Sequence, residues 1–252
     1  MADRLKTLAV EAVPVLLALV AFLFVWEAMT SYGGVPRYVL PSPSDIASAT
    51  LSSLPRLAGG LWLTTLEAIS GFALGSLLGL LLACVFLLVP ILRIVFLPLL
   101  IALNTVPSIA FVPLALLWFG MGAASKIAIA ALAVSFAVLL SALEGFSRTD
   151  TAHVNLLRSF GAGRLALLWR LQLPAAMPSI ATGLRIGLAR STIAVIVAEM
   201  LGAYQGIGQI VYRATAEMDA QTVWSAILVS SLTSLALYGL LVAADRRLIW
   251  WR

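Results

Sequence analysis

The sequence predicts an all-α integral membrane protein with six transmembrane helices, and three observations predict it. Hydrophobic residues fill 62% of the 252 positions and charged residues only 11%, against roughly half and about a quarter in a soluble domain. Mean hydropathy is +1.06, and a soluble body this apolar would present a greasy surface and aggregate. The apolar residues also fall in long charge-poor runs, and a helix needs about 20 of them to cross a bilayer. Composition therefore excludes a soluble enzyme, a disordered chain and a fibrous protein, and one membrane domain spanning residues 1–252 is expected.

Crossings are expected over about 8–28, 64–89, 94–119, 126–143, 178–203 and 221–244. The charged start at Arg4 and Lys6 imitates a secretory leader, but nothing downstream reads as a soluble mature chain. The third run carries Pro98, Pro107 and Pro113. Proline removes a helix hydrogen bond, so this span is either kinked or broken near Asn104–Ser108, where polar groups are candidates to line a path. The fifth run holds Arg185, Arg190 and Glu199, and charge asymmetry decides that it crosses. With six crossings and the N-terminus inside, ten basic residues lie in cytoplasmic segments and four outside. Five crossings would put Arg246, Arg247 and Arg252 outside, against the positive-inside bias. Both termini are thus expected in the cytoplasm, with Trp250 and Trp251 in the inner interfacial belt. The net charge of +5 follows from this topology and does not point to nucleic acid.

Long connections are expected outside at 27–62 and 204–219 and inside at 144–177. No glycine-rich phosphate loop ending in lysine occurs; the only lysines are Lys6 and Lys126. With one histidine, His153, and one cysteine, Cys84, neither a zinc site nor an intrachain disulfide is expected. Gly71, Gly75 and Gly79 recur every four residues and form a smooth stripe for close helix approach. Within the bilayer an Arg or Asp near the centre costs about 2.5–3.5 kcal/mol on insertion scales. Arg185, near the inner boundary, can snorkel. Arg190 lies deeper and is a candidate for the solute path or for an ion pair. Glu199, nine residues on, falls near the opposite helix face, so a direct pair with Arg190 is not expected; a path role and a structural role are both open to it.

The inner segment 144–177 carries most of the functional signal. Asp150 or Thr151 can cap a short helix that places Leu156, Leu157 and Phe160 on one face. Gly161 and Gly163 interrupt it. A second short helix is expected to show Leu165, Leu168 and Trp169 on one side, with Pro174 and Pro178 where the next helix begins. Such a hairpin either rests on lipid headgroups or docks its apolar face into a partner's groove.

The spacing from Gly161 to Leu171-Gln172-Leu173-Pro174 resembles the cytoplasmic coupling loop of ABC-importer permeases. That pattern runs Glu-Ala-Ala, three residues, Gly, nine residues, Ile-x-Leu-Pro; here Asn155-Leu156-Leu157 and Leu171 stand in the first and last positions. Leu40-Pro-Ser-Pro-Ser44, Asn104-Thr-Val-Pro107, Leu117-Trp-Phe-Gly120 and Val197-Ala-Glu-Met-Leu-Gly202 are similar to the nitrate/sulfonate/taurine/bicarbonate group, which includes carriers of thiamine precursors and riboflavin. The resemblance covers about residues 8–248. It implies the type I importer permease fold, with a coupling-helix loop between spans four and five, in a bacterial inner membrane. It implies a second permease chain, a homodimer, and an ATP-binding-cassette ATPase dimer that carries ATP and magnesium, so that this chain holds no cofactor and catalyses nothing. A periplasmic or lipoprotein binding protein would deliver a small polar solute. Asn155, Leu156, Leu157, Phe160, Gly161, Leu171, Leu173 and Pro174 would meet the ATPase. Asn104, Ser108, Arg190 and Glu199 are the candidate path residues. The alternative is a stand-alone secondary transporter or channel with an interfacial amphipathic hairpin.

Overall fold

The computed structural model describes residues 2–36 and 38–248; Trp250 and Trp251 lie outside the described residues. Every regular element described is helical. α1 spans Ala2–Tyr32, α2 Pro43–Ser52, α3 Leu54–Leu88 and α4 Pro90–Thr105. A 3₁₀ turn over Ser108–Phe111 leads into α5 (Val112–Phe119), then α6 (Ala123–Ser147) and α7 (Thr151–Ser159). α8 (Arg164–Leu167) passes through a π turn, Leu168–Gln172, into α9 (Leu173–Gly202); α10 (Ile207–Ala216) and α11 (Ala220–Leu248) follow. Among the described residues five helices are long and apolar enough to cross a membrane, and α4 with the 3₁₀–α5 segment, a pair bent by 90°, makes a sixth when counted as one span.

The chain divides into two compact units, Met1–Ala58 with Ile210–Val229, and Gly59–Gln209 with Ser230–Arg252. In the first unit the Leu-Pro-Ser-Pro-Ser segment becomes a helix start. Ser42 Oγ accepts from the Asp45 N–H at 3.1 Å, and Pro43 occupies the first helical turn, where its missing N–H costs nothing. Glu27 on α1 then accepts from the Ser44 N–H at 3.0 Å and its hydroxyl at 2.7 Å. The Trp26 and Trp224 rings meet edge to face with centroids 5.2 Å apart.

The second unit is held by close backbone approach rather than large side chains. Ala68, Val112, Ala115, Ile129, Ala130, Ala133, Ala194, Val195 and Ala198 form one core of α3, α5, α6 and α9. Small residues let membrane helices come together and gain van der Waals contact. The glycine stripe works the same way: a Cβ added at Gly75 would lie 2.5 Å from the Ala131 carbonyl oxygen and 2.7 Å from Val134 Cβ. The stripe thus packs against α6 of the same chain. A buried hydrogen bond of 2.6 Å from Ser191 Oγ to the Ala68 carbonyl ties α9 to α3. A second core, with Phe86, Leu143, Phe146, Leu168 and Ile180, closes the other end.

Two expectations for the loop change. Leu168 is buried while Leu165 and Trp169 are exposed, so the three do not share a face. The π turn is the reason. Pro174 has no N–H to give Arg170, and the Leu173 N–H reaches back five residues to Leu168. Pro178 likewise lies inside α9 rather than at its start, because the loop runs into the span without a break.

Candidate functional site

The break in the third crossing has a local cause. Proline disfavours the helical region for the residue before it, and Val106 is extended, with φ −77° and ψ 124°. Pro107 continues extended at φ −54° and ψ 129° before the 3₁₀ turn starts. Non-helical backbone at membrane depth is tolerated where it faces protein or a cavity. Here it lines a cavity of about 250 Å³ with Asn104, Ser108 and Arg190 on its wall. Residues from three elements, α4, the break and α9, are therefore brought together. Among the described residues no carboxylate lies within ion-pair distance of Arg190. A second, apolar chamber of about 400 Å³ adjoins it, sharing Asn104, Val106, Ser108 and Ala133.

Glu199 is elsewhere. It is 1% exposed and accepts from the Thr64 hydroxyl at 2.7 Å and the Gly208 N–H at 2.7 Å. Thr64 Oγ1 in turn accepts from the Ile207 N–H at 2.9 Å. Glu199 thus satisfies the orphan Gly208 N–H at the start of α10, and Thr64 that of Ile207. Gly206 makes the turn between α9 and α10 at φ +115°, a left-handed conformation that suits glycine. Lys126, also 1% exposed, donates to the carbonyls of Met121, Gly122 and Gly202. The last caps the C-terminal end of α9, where a cation is favoured. Glu67 on α3 is buried beside these groups. Arg185 pairs with Asp245 of α11, rather than snorkelling alone.

Thr64, Glu67, Lys126 and Asp245 were not singled out from the sequence as partners. A signal existed for one of them, since Glu67 is the only charged residue in the expected span 64–89.

The loop separates into a free part and an anchored part. Asp150 caps α7 by accepting from the Ala152 N–H at 2.8 Å. At the other end the Gly161 N–H bonds the Arg158 carbonyl at 2.9 Å and the Ala162 N–H the Leu157 carbonyl at 3.0 Å. This is the Schellman arrangement, and Gly161 takes its left-handed position at φ +82°. No α7 residue is buried. Leu156 is 53% and Phe160 79% exposed; Asn155 is exposed and Leu157 half-buried. Leu171, Leu173 and Pro174 are half-buried, and Leu173 packs on the second core beside buried Leu168. Arg164 reaches the Leu88 carbonyl at 3.4 Å. His153 Nδ1 stands 3.6 Å from Asp150 on the exposed side, and no cluster able to hold a metal occurs among the described residues.

Residues 75–250 match the family described as "Binding-protein-dependent transport system inner membrane component". A probable ABC transporter permease protein of Haemophilus influenzae is 33% identical over 93% of this chain and 96% of its own length. The formylaminopyrimidine transport permease protein ThiX of Halalkalibacterium halodurans is 33% identical over 90% of this chain and 91% of its own. A solved structure of the MetNI methionine ABC transporter in inward-facing conformations superposes with a TM-score of 0.64 at 18% identity, covering 75% of this chain and 93% of that one; at that identity the likeness is one of fold.

Proposed function

The chain belongs to the binding-protein-dependent transport system inner membrane components, a multi-pass permease subunit of an ABC importer, and from that premise we propose how it works. Two copies form the path. An ATP-binding-cassette ATPase dimer, holding ATP and magnesium, docks on α7, and a periplasmic or lipoprotein binding protein delivers solute at the opposite face. Both termini lie in the cytoplasm, in line with the charge bias.

The observation that carries this reading is the division of the loop. α7 exposes Leu156, and its C-terminal cap Phe160, with none of its own residues buried, as a groove-docking helix would. α8 and the π turn are anchored through Leu168 and run into α9. Displacement of α7 by a closing ATPase therefore reaches α9, which carries Arg190 to the cavity at the break. Packed elements with two arrangements transmit such shifts.

Arg190, Asn104 and Ser108 form the proposed solute contact within the membrane. Glu199 is assigned to holding the α9–α10 turn. The cargo is a small polar solute: an anion of the nitrate, sulfonate, taurine or bicarbonate kind, or a vitamin precursor such as the pyrimidine in the name of the Halalkalibacterium relative.

The test is ATP-dependent uptake by proteoliposomes holding the chain with its ATPase and binding protein. Deleting 155–163 should leave the chain inserted and abolish uptake. Uptake at the normal rate with the deletion would remove α7 from the coupling. Uptake by the chain alone, without ATP, would instead identify a stand-alone transporter.

A further inference from the structure

Two chambers of opposite character meet at the break in the third crossing. Among the described residues, the smaller, about 250 Å³, has Arg190 as its only charged wall. The larger, about 400 Å³, is lined by Phe111, Trp118, Phe119 and Phe136 with leucines around them, and by no ionisable side chain among the described residues. Asn104 and Ser108 stand on the wall of both, so an occupant can extend from one into the other without leaving polar contact at the junction. A guanidinium without a carboxylate partner at this depth is costly until an anion or water faces it. A guanidinium also presents a planar fork of donors suited to an oxyanion.

The geometry points to a two-part solute station in this chain, built for an organic anion with an aromatic body: the oxyanion at Arg190, the ring in the aromatic chamber. The inference rests on the assignment of Arg190 to the solute path and narrows the cargo. Nitrate and bicarbonate would leave the aromatic chamber unused. A taurine-like zwitterion would carry its ammonium into a chamber that offers it no counter-charge. A ring fits by size, since an apolar cavity of about 150 Å³ suffices for benzene. Aromatic walls add edge and face contacts beyond plain area burial.

The experiment is equilibrium binding to the full chain with its ATPase in lipid nanodiscs, without ATP, using methanesulfonate, benzenesulfonate and benzylammonium as probes. Benzenesulfonate is expected to bind at least tenfold more tightly than methanesulfonate, with benzylammonium not binding measurably. Arg190→Gln should weaken both sulfonates alike. Ala128→Phe fills the aromatic chamber from α6 and should bring benzenesulfonate down to the methanesulfonate level. Equal binding of the two sulfonates would overturn the two-part station. So would equal binding of benzenesulfonate and benzylammonium, which would mark the larger chamber as a seat for lipid chains. Should either variant fail to fold, the three probes on the unaltered chain still decide. Failure of the permease reading would appear separately, as absent ATP-dependent uptake.

Discussion

Single residues at the α9–α10 turn act through buried hydrogen bonds to backbone groups. Glu199 accepts from Thr64 and Gly208 in a site closed to water. Glu199→Ala leaves the buried Gly208 N–H without its acceptor, worth about 1–3 kcal/mol, and leaves the Thr64 hydroxyl with only the Gly60 carbonyl at 3.0 Å. Thermal unfolding in mild detergent should show a clear loss, and Glu199→Gln, which keeps an acceptor oxygen, should lose less. A Glu199→Ala chain as stable as the unaltered one would disprove the structural role. Lys126 makes the matching case with three backbone carbonyls as its partners.

Elements differ in what they need from sequence. α7 needs its caps more than its packing. Gly161 stands left-handed with nothing within 4 Å of an added Cβ, so the constraint there is backbone conformation and not space. Gly161→Asn should keep coupled uptake, because asparagine tolerates the left-handed region. Gly161→Val should lose it while leaving membrane insertion intact. The two leucines of the loop separate the roles of its halves. Leu168→Ala, in the core, should destabilise by about 2–5 kcal/mol. Leu156→Ala, on an exposed face, should shift stability by no more than ~0.5 kcal/mol yet reduce ATP-coupled uptake. Equal stability of the two variants would mean that the anchored and free halves are misassigned. On α3, Gly75→Leu would drive a side chain into the Ala131 backbone, and loss of folded chain on size exclusion is expected.

At the scale of the whole molecule, topology is the quantity to measure. With Cys84 replaced by alanine, a cysteine at Ser159 should react with a membrane-impermeant maleimide only from the cytoplasmic side. One at Gln205 should react only from the opposite side. Reaction of both from one side would break the six-crossing arrangement. The Arg185–Asp245 pair between α9 and α11 also belongs to this scale. Reversing both charges together should restore uptake lost in either single reversal, if the pair joins the two helices rather than serving each alone.

The sequence by itself determined what depends on composition and short-range backbone chemistry. Long apolar runs imply crossings because the bilayer demands them. Asp150 and Gly161 are residue types that favour helix ends, and Pro107 biases the residue before it toward extended backbone. The path candidates Asn104 and Ser108 were legible for the same reason: polar groups beside a proline break stand out. What the tertiary structure decided depends on groups far apart in the chain. Arg190 meets the break, and Glu199 meets Thr64 135 residues away, through how α3, α6 and α9 stack, which periodicity does not specify. Leu168 turned inward because a π turn shifted the register that an ideal 3.6-residue period would have kept. Partner choice among buried charges is settled by packing, since each charge must find the nearest group able to satisfy it once water is gone.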